Sequence, residues 1–217
     1  NVLIFSPNNI FTDYISEVLP SLGEANTLQT TFADYLESFI TEYKHVEDFT
    51  DFVSRYYSYK ETYPELVEYK QSDRIIDDLD AFIENFIDNC KFTDSFTENE
   101  KFYIMKDDLN SMLHDKYDRL PLFERMEEIS DKLSSNNYKG STKKKATYLK
   151  LMYENCNFKH DLKSILKEFY MSEFCRFKLD EKTINSFVNT DSINYEDALV
   201  FAYLKGRLDG VIYDGAI

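Results

Sequence analysis

The chain opens with the apolar run NVLIF, turns at Ser6-Pro7-Asn8, and then repeats Ile10, Tyr14, Ile15, Val18 and Leu19 at helical spacing. This pattern predicts strand, turn and helix, with Pro20 and Gly23 in stop positions. NTLQTTF, residues 26–32, predicts a second short strand, and Thr30 or Thr31 can cap the helix FADYLESFITEY behind it. The order β-α-β-α is that of a fragment of a doubly wound parallel sheet. An apolar strand at residue 1 needs sheet neighbours, so the expectation is that it belonged to a larger sheet.

From about residue 46 the period becomes helical. VEDFTDFVSRYY sets Val46, Phe49, Phe52 and Val53 on one face, and SDRIIDDLDAFIENFIDNC does the same with Ile75, Ile76, Leu79, Phe82, Ile83, Phe86 and Ile87. KFYIM (101–105) predicts one short strand, Asp107 to His114 a short helix, and PLFERMEEISDKL (121–133) a longer helix with Pro121 at or near its first turn. SSNNYKGSTKKK (134–145) is a polar loop. Helices near 146–155, 160–176 and 181–188 follow. In NTDSINYEDALVFAYLKGRLDG, Asn194 is an N-cap candidate with Asp197 at the third helical position, and Ala198, Phe201, Ala202 and Leu208 form the buried stripe. The expected fold class is mainly α.

Composition supports that class. Only 5 Gly and 4 Pro in 217 residues disfavour a turn-dense β fold, and 17 Tyr with 18 Phe supply a packed interior. The net charge of −15 is uneven: residues 1–138 hold 29 Asp/Glu against 12 Lys/Arg, whereas residues 139–182 hold 6 against 11. An acidic body repels phosphate backbones and attracts basic protein surfaces. Within the basic segment, Lys143, Lys144 and Lys145 fall in a helix's first turn, where cations oppose the macrodipole. They are either an exposed, solvated turn or a contact for phosphate or an acidic partner.

Candidate chemistry is sparse. No GxxxxGK[ST] loop occurs, and Lys139-Gly140-Ser141-Thr142 has similar letters in the wrong order. His45, His114 and His160 lack catalytic or metal-ligand spacing, and Cys90, Cys156 and Cys175 form no CxxC pair, as expected for idle thiols of a reducing cytoplasm. No apolar run is long enough to span a membrane, and no secretory pattern opens the chain. The sequence therefore predicts a soluble cytoplasmic protein with no catalytic residue, metal site or cofactor of its own.

VLIFSPNNIFTDYISEVLPSLGE followed by QTTFADYL resembles the UvrD/Rep-like superfamily 1 helicases, specifically the HelD-type branch that recycles stalled RNA polymerase. YEDALVFAYLKGRLDG followed by YDGAI is similar to the approach to that family's Walker B strand, and YDRLPLFERMEEISDKL is similar to its helical insertion. The resemblance implies an internal fragment between Walker A and Walker B. Residues 1–44 would be a partial RecA-like (P-loop NTPase) motor subdomain, residues 45–190 the helical insertion domain, and residues 191–217 the return into the motor. ATP and Mg²⁺ would serve the parent protein. Ser6, Pro7 and Asn8 match the motif Ia turn and Thr30, Thr31 and Phe32 the following turn, both of which line the nucleic-acid groove in relatives. In the family a basic residue often follows the motif Ia Asn; here Asn9 and Ile10 follow. The implied function is an arm that contacts RNA polymerase or nucleic acid. The alternatives are a DNA-binding accessory subdomain of a helicase IV-like unwinding enzyme and a purely structural helical spacer.

Overall fold

The computed structural model describes residues 3–22, 28–58, 64–98, 102–137 and 142–210. Strand β1 (Leu3–Ser6) leads to helix α1 (Asn9–Val18) and a 3-10 turn, Leu19–Leu22. Strand β2 (Leu28–Thr31) then pairs with β1 in parallel, Leu3 opposite Leu28 and Ser6 opposite Thr31. Helix α2 (Phe32–Phe39) follows directly. The periodicity carried this helix on to Tyr43, but Ile40 leaves the helical region at φ −92°, ψ 82°. Ile40 and Tyr43 are both drawn into the core, 1% and 6% exposed, and burial of these two side chains outweighs another helical turn.

Strand β3 (His45–Val46) precedes α3 (Phe49–Tyr57), which Asp48 caps by accepting from the Asp51 N–H. Phe52 is buried as expected, but Phe49 is 59% exposed and Val46 belongs to the strand. Helix α4 (Pro64–Lys70) starts on a proline, whose missing N–H costs nothing at a first helical position. In α5 (Asp73–Asn89), Ile75, Leu79, Phe82 and Ile83 are buried, whereas Ile76 turns outward.

Strands β4 (Phe96–Glu98) and β5 (Phe102–Ile104) form an antiparallel pair, so the strand expected within 101–105 has a partner the pattern had not revealed. Helix α6 (Lys106–Ser111) runs into a π-helical turn, Met112–Lys116. Helix α7 (Leu122–Asn137) begins just after Pro121 and extends through Ser134–Asn137, into the stretch expected as loop. Helix α8 spans Thr142–Glu154 and α9 Leu162–Met171, shorter than the 160–176 expected. Helix α10 (Glu181–Val188) is capped by Asp180. Strand β6 (Ser192–Ile193) pairs in parallel with β3, and α11 (Tyr195–Leu208) follows. Gly210 ends it at φ +89°, where a Cβ would collide with the Glu124 carboxylate. The protein is mainly α, as the sequence predicts. VIYDGAI and Gly23 lie outside the described residues.

The chain forms two compact units. The first contains the described residues up to Ile75 together with Leu179–Ala202; the second contains Ile76–Lys178 and the residues from Tyr203. Leu36, Ile40, Phe52, Leu66, Val188 and Phe201 are among the core residues of the first. In the second, α7 packs on α8, and Leu79, Ile83, Leu113, Met126, Ile129 and Phe169 are among the buried side chains. Among the described residues no helix is long and apolar enough to cross a membrane.

Candidate functional site

The six residues singled out near the N-terminus come together because of strand register. Ser6 and Thr31 are direct partners at the C-terminal ends of β1 and β2, and each strand runs straight into a helix. Two helix N-termini therefore open at the same end of the strand pair. Asn8, extended at φ −164°, ψ 168°, caps α1 by accepting the Phe11 N–H at 2.9 Å. Thr31 caps α2: its Oγ1 accepts from the Asp34 N–H at 3.1 Å and donates to the Asp34 carboxylate at 2.7 Å. Asx and hydroxyl side chains satisfy orphan amides at such positions, and an acidic third residue adds to the macrodipole interaction.

Burial divides the six. Ser6, Thr30 and Thr31 are 4%, 4% and 8% exposed, whereas Pro7 and Asn8 are exposed and Phe32 is 44% exposed. Thr30 donates to the Thr31 carbonyl at 3.1 Å. The buried Ser6 hydroxyl has no hydrogen-bond partner among the described residues. The end thus presents two capped helix starts and a part-exposed aromatic ring. No Lys or Arg occurs in residues 1–43, and the Ser6-Pro7-Asn8 turn contains no glycine.

Lys143, Lys144 and Lys145 occupy the first turn of α8, in the second unit, and their side chains lie outside the described residues.

Two polar constellations escaped the sequence reading. In the first unit, Arg55 pairs with Glu47 at 2.8 Å and with Glu196 at 2.6 Å, while Lys70 Nζ lies 2.7 Å from Asp197 Oδ1. Lys70 also sits 4.3 Å above the Phe187 ring. Burial raises the Glu47 carboxyl, but the Arg55 guanidinium and the Tyr195 N–H more than reverse this and hold it below its ordinary value. Glu196 is instead held above its ordinary value, by burial and then by the Asp197 charge. Burial likewise pushes up the Tyr43 phenol, which donates to the Val188 carbonyl. Asp197, expected as a capping residue, is 1% exposed and engaged by Lys70. The letters give no sign of this, because Lys70 and Asp197 are far apart in sequence and only tertiary folding places them together.

In the second unit the His160 ring lies 4.1 Å from that of Phe123, and its Nε2 is 2.7 Å from Asp209 Oδ1. These residues line a cavity of about 330 Å³ with Glu124, Glu127 and Glu128. A second cavity, about 370 Å³, is bordered by Cys90, Asn157, Lys159 and Glu168. Burial pushes the Cys90 thiol up to about 12, so it is no nucleophile near neutral pH. His114 Nε2 bonds the Cys90 carbonyl at 2.7 Å, and His45 is exposed. Among the described residues no group of three or more His, Cys, Asp or Glu is arranged to hold a metal ion. No protein-family model matches the chain, and no curated protein matches it.

Proposed function

We propose that the chain is a non-catalytic segment of a superfamily 1 ATP-dependent helicase or translocase, and that its acidic helical insertion is an arm that contacts RNA polymerase. The observation that carries this reading is the parallel β1/β2 pair, which sets Ser6-Pro7-Asn8 and Thr30-Thr31-Phe32 side by side at one end, each at a capped helix start. That arrangement is what a small RecA-like remnant requires, since open α/β sheets present their functional turns at the strands' C-terminal ends. The helical second unit and the acidic stretch 45–138, with 23 Asp/Glu against 11 Lys/Arg, support the arm. ATP and Mg²⁺ would be bound by parts of the parent protein outside this segment, where they would drive the motor.

Physically, the arm works by competition. A carboxylate-rich surface is attracted to the basic channel that a polymerase uses for nucleic acid, and it repels the DNA that would refill that channel. Ser6, Pro7, Asn8, Thr30, Thr31 and Phe32 then belong to the motor's nucleic-acid groove, and Lys143, Lys144 and Lys145 form a secondary contact with phosphate or an acidic partner.

The test is retention of the 217-residue chain on immobilised core RNA polymerase, followed by elution with salt and with duplex DNA. Retention at low salt that both agents reverse is the expected result. Absence of salt-sensitive retention overturns the arm. A mobility shift of DNA by the chain alone, abolished when Lys143, Lys144 and Lys145 are replaced, would instead assign it to a DNA-binding accessory subdomain.

A further inference from the structure

The open end of the β1/β2 lobe carries more exposed apolar surface than its capping chemistry explains. Ile10 is 82% exposed, Tyr14 61%, Phe5 48%, Phe32 44% and Phe11 43%. They fall in two groups: Ile10, Phe11 and Tyr14 on α1, and Phe5 of β1 with Phe32 at the start of α2. The Phe5 ring is 6.1 Å from Phe32 and 5.3 Å from Tyr35 in edge-on contacts, and Tyr14 lies one helical turn beyond Ile10. Apolar side chains gathered in this way mark an interaction surface.

The rim is of one sign. Asp13 and Glu17 are exposed on the same face of α1 as Ile10 and Tyr14, Asp34 and Glu37 are exposed on α2, and the first cation in the sequence, Lys44, is already bonded to Asp191 at 2.7 Å. This decides between occupants. A second copy would set the same acidic rim against itself, and a phosphate backbone would be repelled. An apolar segment flanked by lysine or arginine satisfies both the greasy centre and the charged rim within a Debye length of about 8 Å.

We propose that this end of the lobe is a docking surface for a protein segment that carries Lys or Arg around apolar side chains. The inference stands on the lobe alone: it does not depend on the motor reading, and it replaces that reading's assignment of this end to a nucleic-acid groove. Ile10 and Tyr14 supply the central contact, and Asp13 and Glu17 fix orientation and speed association.

Fluorescence anisotropy with the full chain tests it, using a labelled amphipathic Leu/Lys peptide, its Leu/Glu counterpart and an oligo-dT strand as probes. The Leu/Lys peptide should bind in a salt-sensitive way and the other two should not. Ile10→Ser with Tyr14→Ser leaves the charge unchanged and should weaken binding about tenfold or more. Phe49→Ser with Tyr57→Ser, an exposed aromatic pair on α3, should leave it unchanged. Equal loss in both double variants, or loss in neither, would show unlocalised charge attraction and overturn the proposal. Preference for oligo-dT, or a dimer in sedimentation that the Ile10/Tyr14 variant dissociates, would overturn it in favour of nucleic acid or a second copy.

Discussion

Replacing Lys70 by Met should destabilise the first unit severely, whereas the double variant Lys70→Met/Asp197→Leu should not. The two side chains are 3% and 1% exposed and 2.7 Å apart, so neither charge has water to fall back on. Removing the ammonium strands a carboxylate in the interior, which costs about 3–5 kcal/mol; replacing both members by apolar groups of similar size is neutral or stabilising. With a urea slope of about 2–3 kcal/mol/M, the single variant should lower the unfolding midpoint by roughly 1.5 M at unchanged slope. The double variant should stay within about 1 kcal/mol of the parent. Far-UV circular dichroism through a urea titration reads both. A loss below about 1 kcal/mol for Lys70→Met would mean that Asp197 reaches solvent, and the buried-pair reasoning would fail.

Other expectations follow from the same kind of accounting. Arg125 is 8% exposed and donates to the Leu113, Asp118 and Leu120 carbonyls at 3.1, 2.6 and 2.7 Å; Arg125→Met should therefore cost about 3 kcal/mol or more by orphaning three acceptors, and denaturation that matches the parent would refute this. At neutral pH Glu47→Gln should cost more than Glu196→Gln. Glu47 lies below its ordinary pKa, so its stabilisation is complete above that value and is lost as pH falls through the lowered one. Glu196 lies above its ordinary pKa, so its contribution is present below the unfolded value and is lost as pH rises through the folded one. Urea midpoints of the two variants at pH 7 and at acid pH check the order and the opposite slopes. Cys90 and Cys156, both raised to about 12 by burial, should alkylate at pH 8 about a thousandfold more slowly in the native chain than in denaturant, as followed by mass spectrometry.

The legible parts of the fold were those whose signal is local. The period of Ile75, Leu79, Phe82 and Ile83 predicted the buried face of α5, because a helix face is written every three to four residues. The N-terminal strand, turn and helix were legible for a similar reason, with Ser6-Pro7-Asn8 as the turn. The β3/β6 pair was not: two-residue strands have no period, and their partners, His45 with Ser192 and Val46 with Ile193, are separated by most of the chain. The end of α2 was misplaced because Ile40 and Tyr43 continue a helical pattern yet are claimed by the core. Ser134–Asn137 read as loop from composition, but helical propensity differences of a few tenths of a kcal/mol per residue cannot outvote the continuation of a packed helix.

The same division holds for the site. Sequence alone determined that Ser6-Pro7-Asn8 is a turn, that Thr30 or Thr31 caps the next helix, that the first 43 residues lack any cation and that no phosphate loop is present, since each depends on residue type at short range. Only the tertiary structure decided that Ser6 and Thr31 face each other, that Thr31 and not Thr30 caps α2, that Phe5 and Phe32 meet, and that Lys70 finds Asp197 in the dry interior. The reason is physical. Caps and helix periods are set by neighbours within a turn, whereas strand register and ion pairing across a core are fixed only when distant segments bury their apolar faces together.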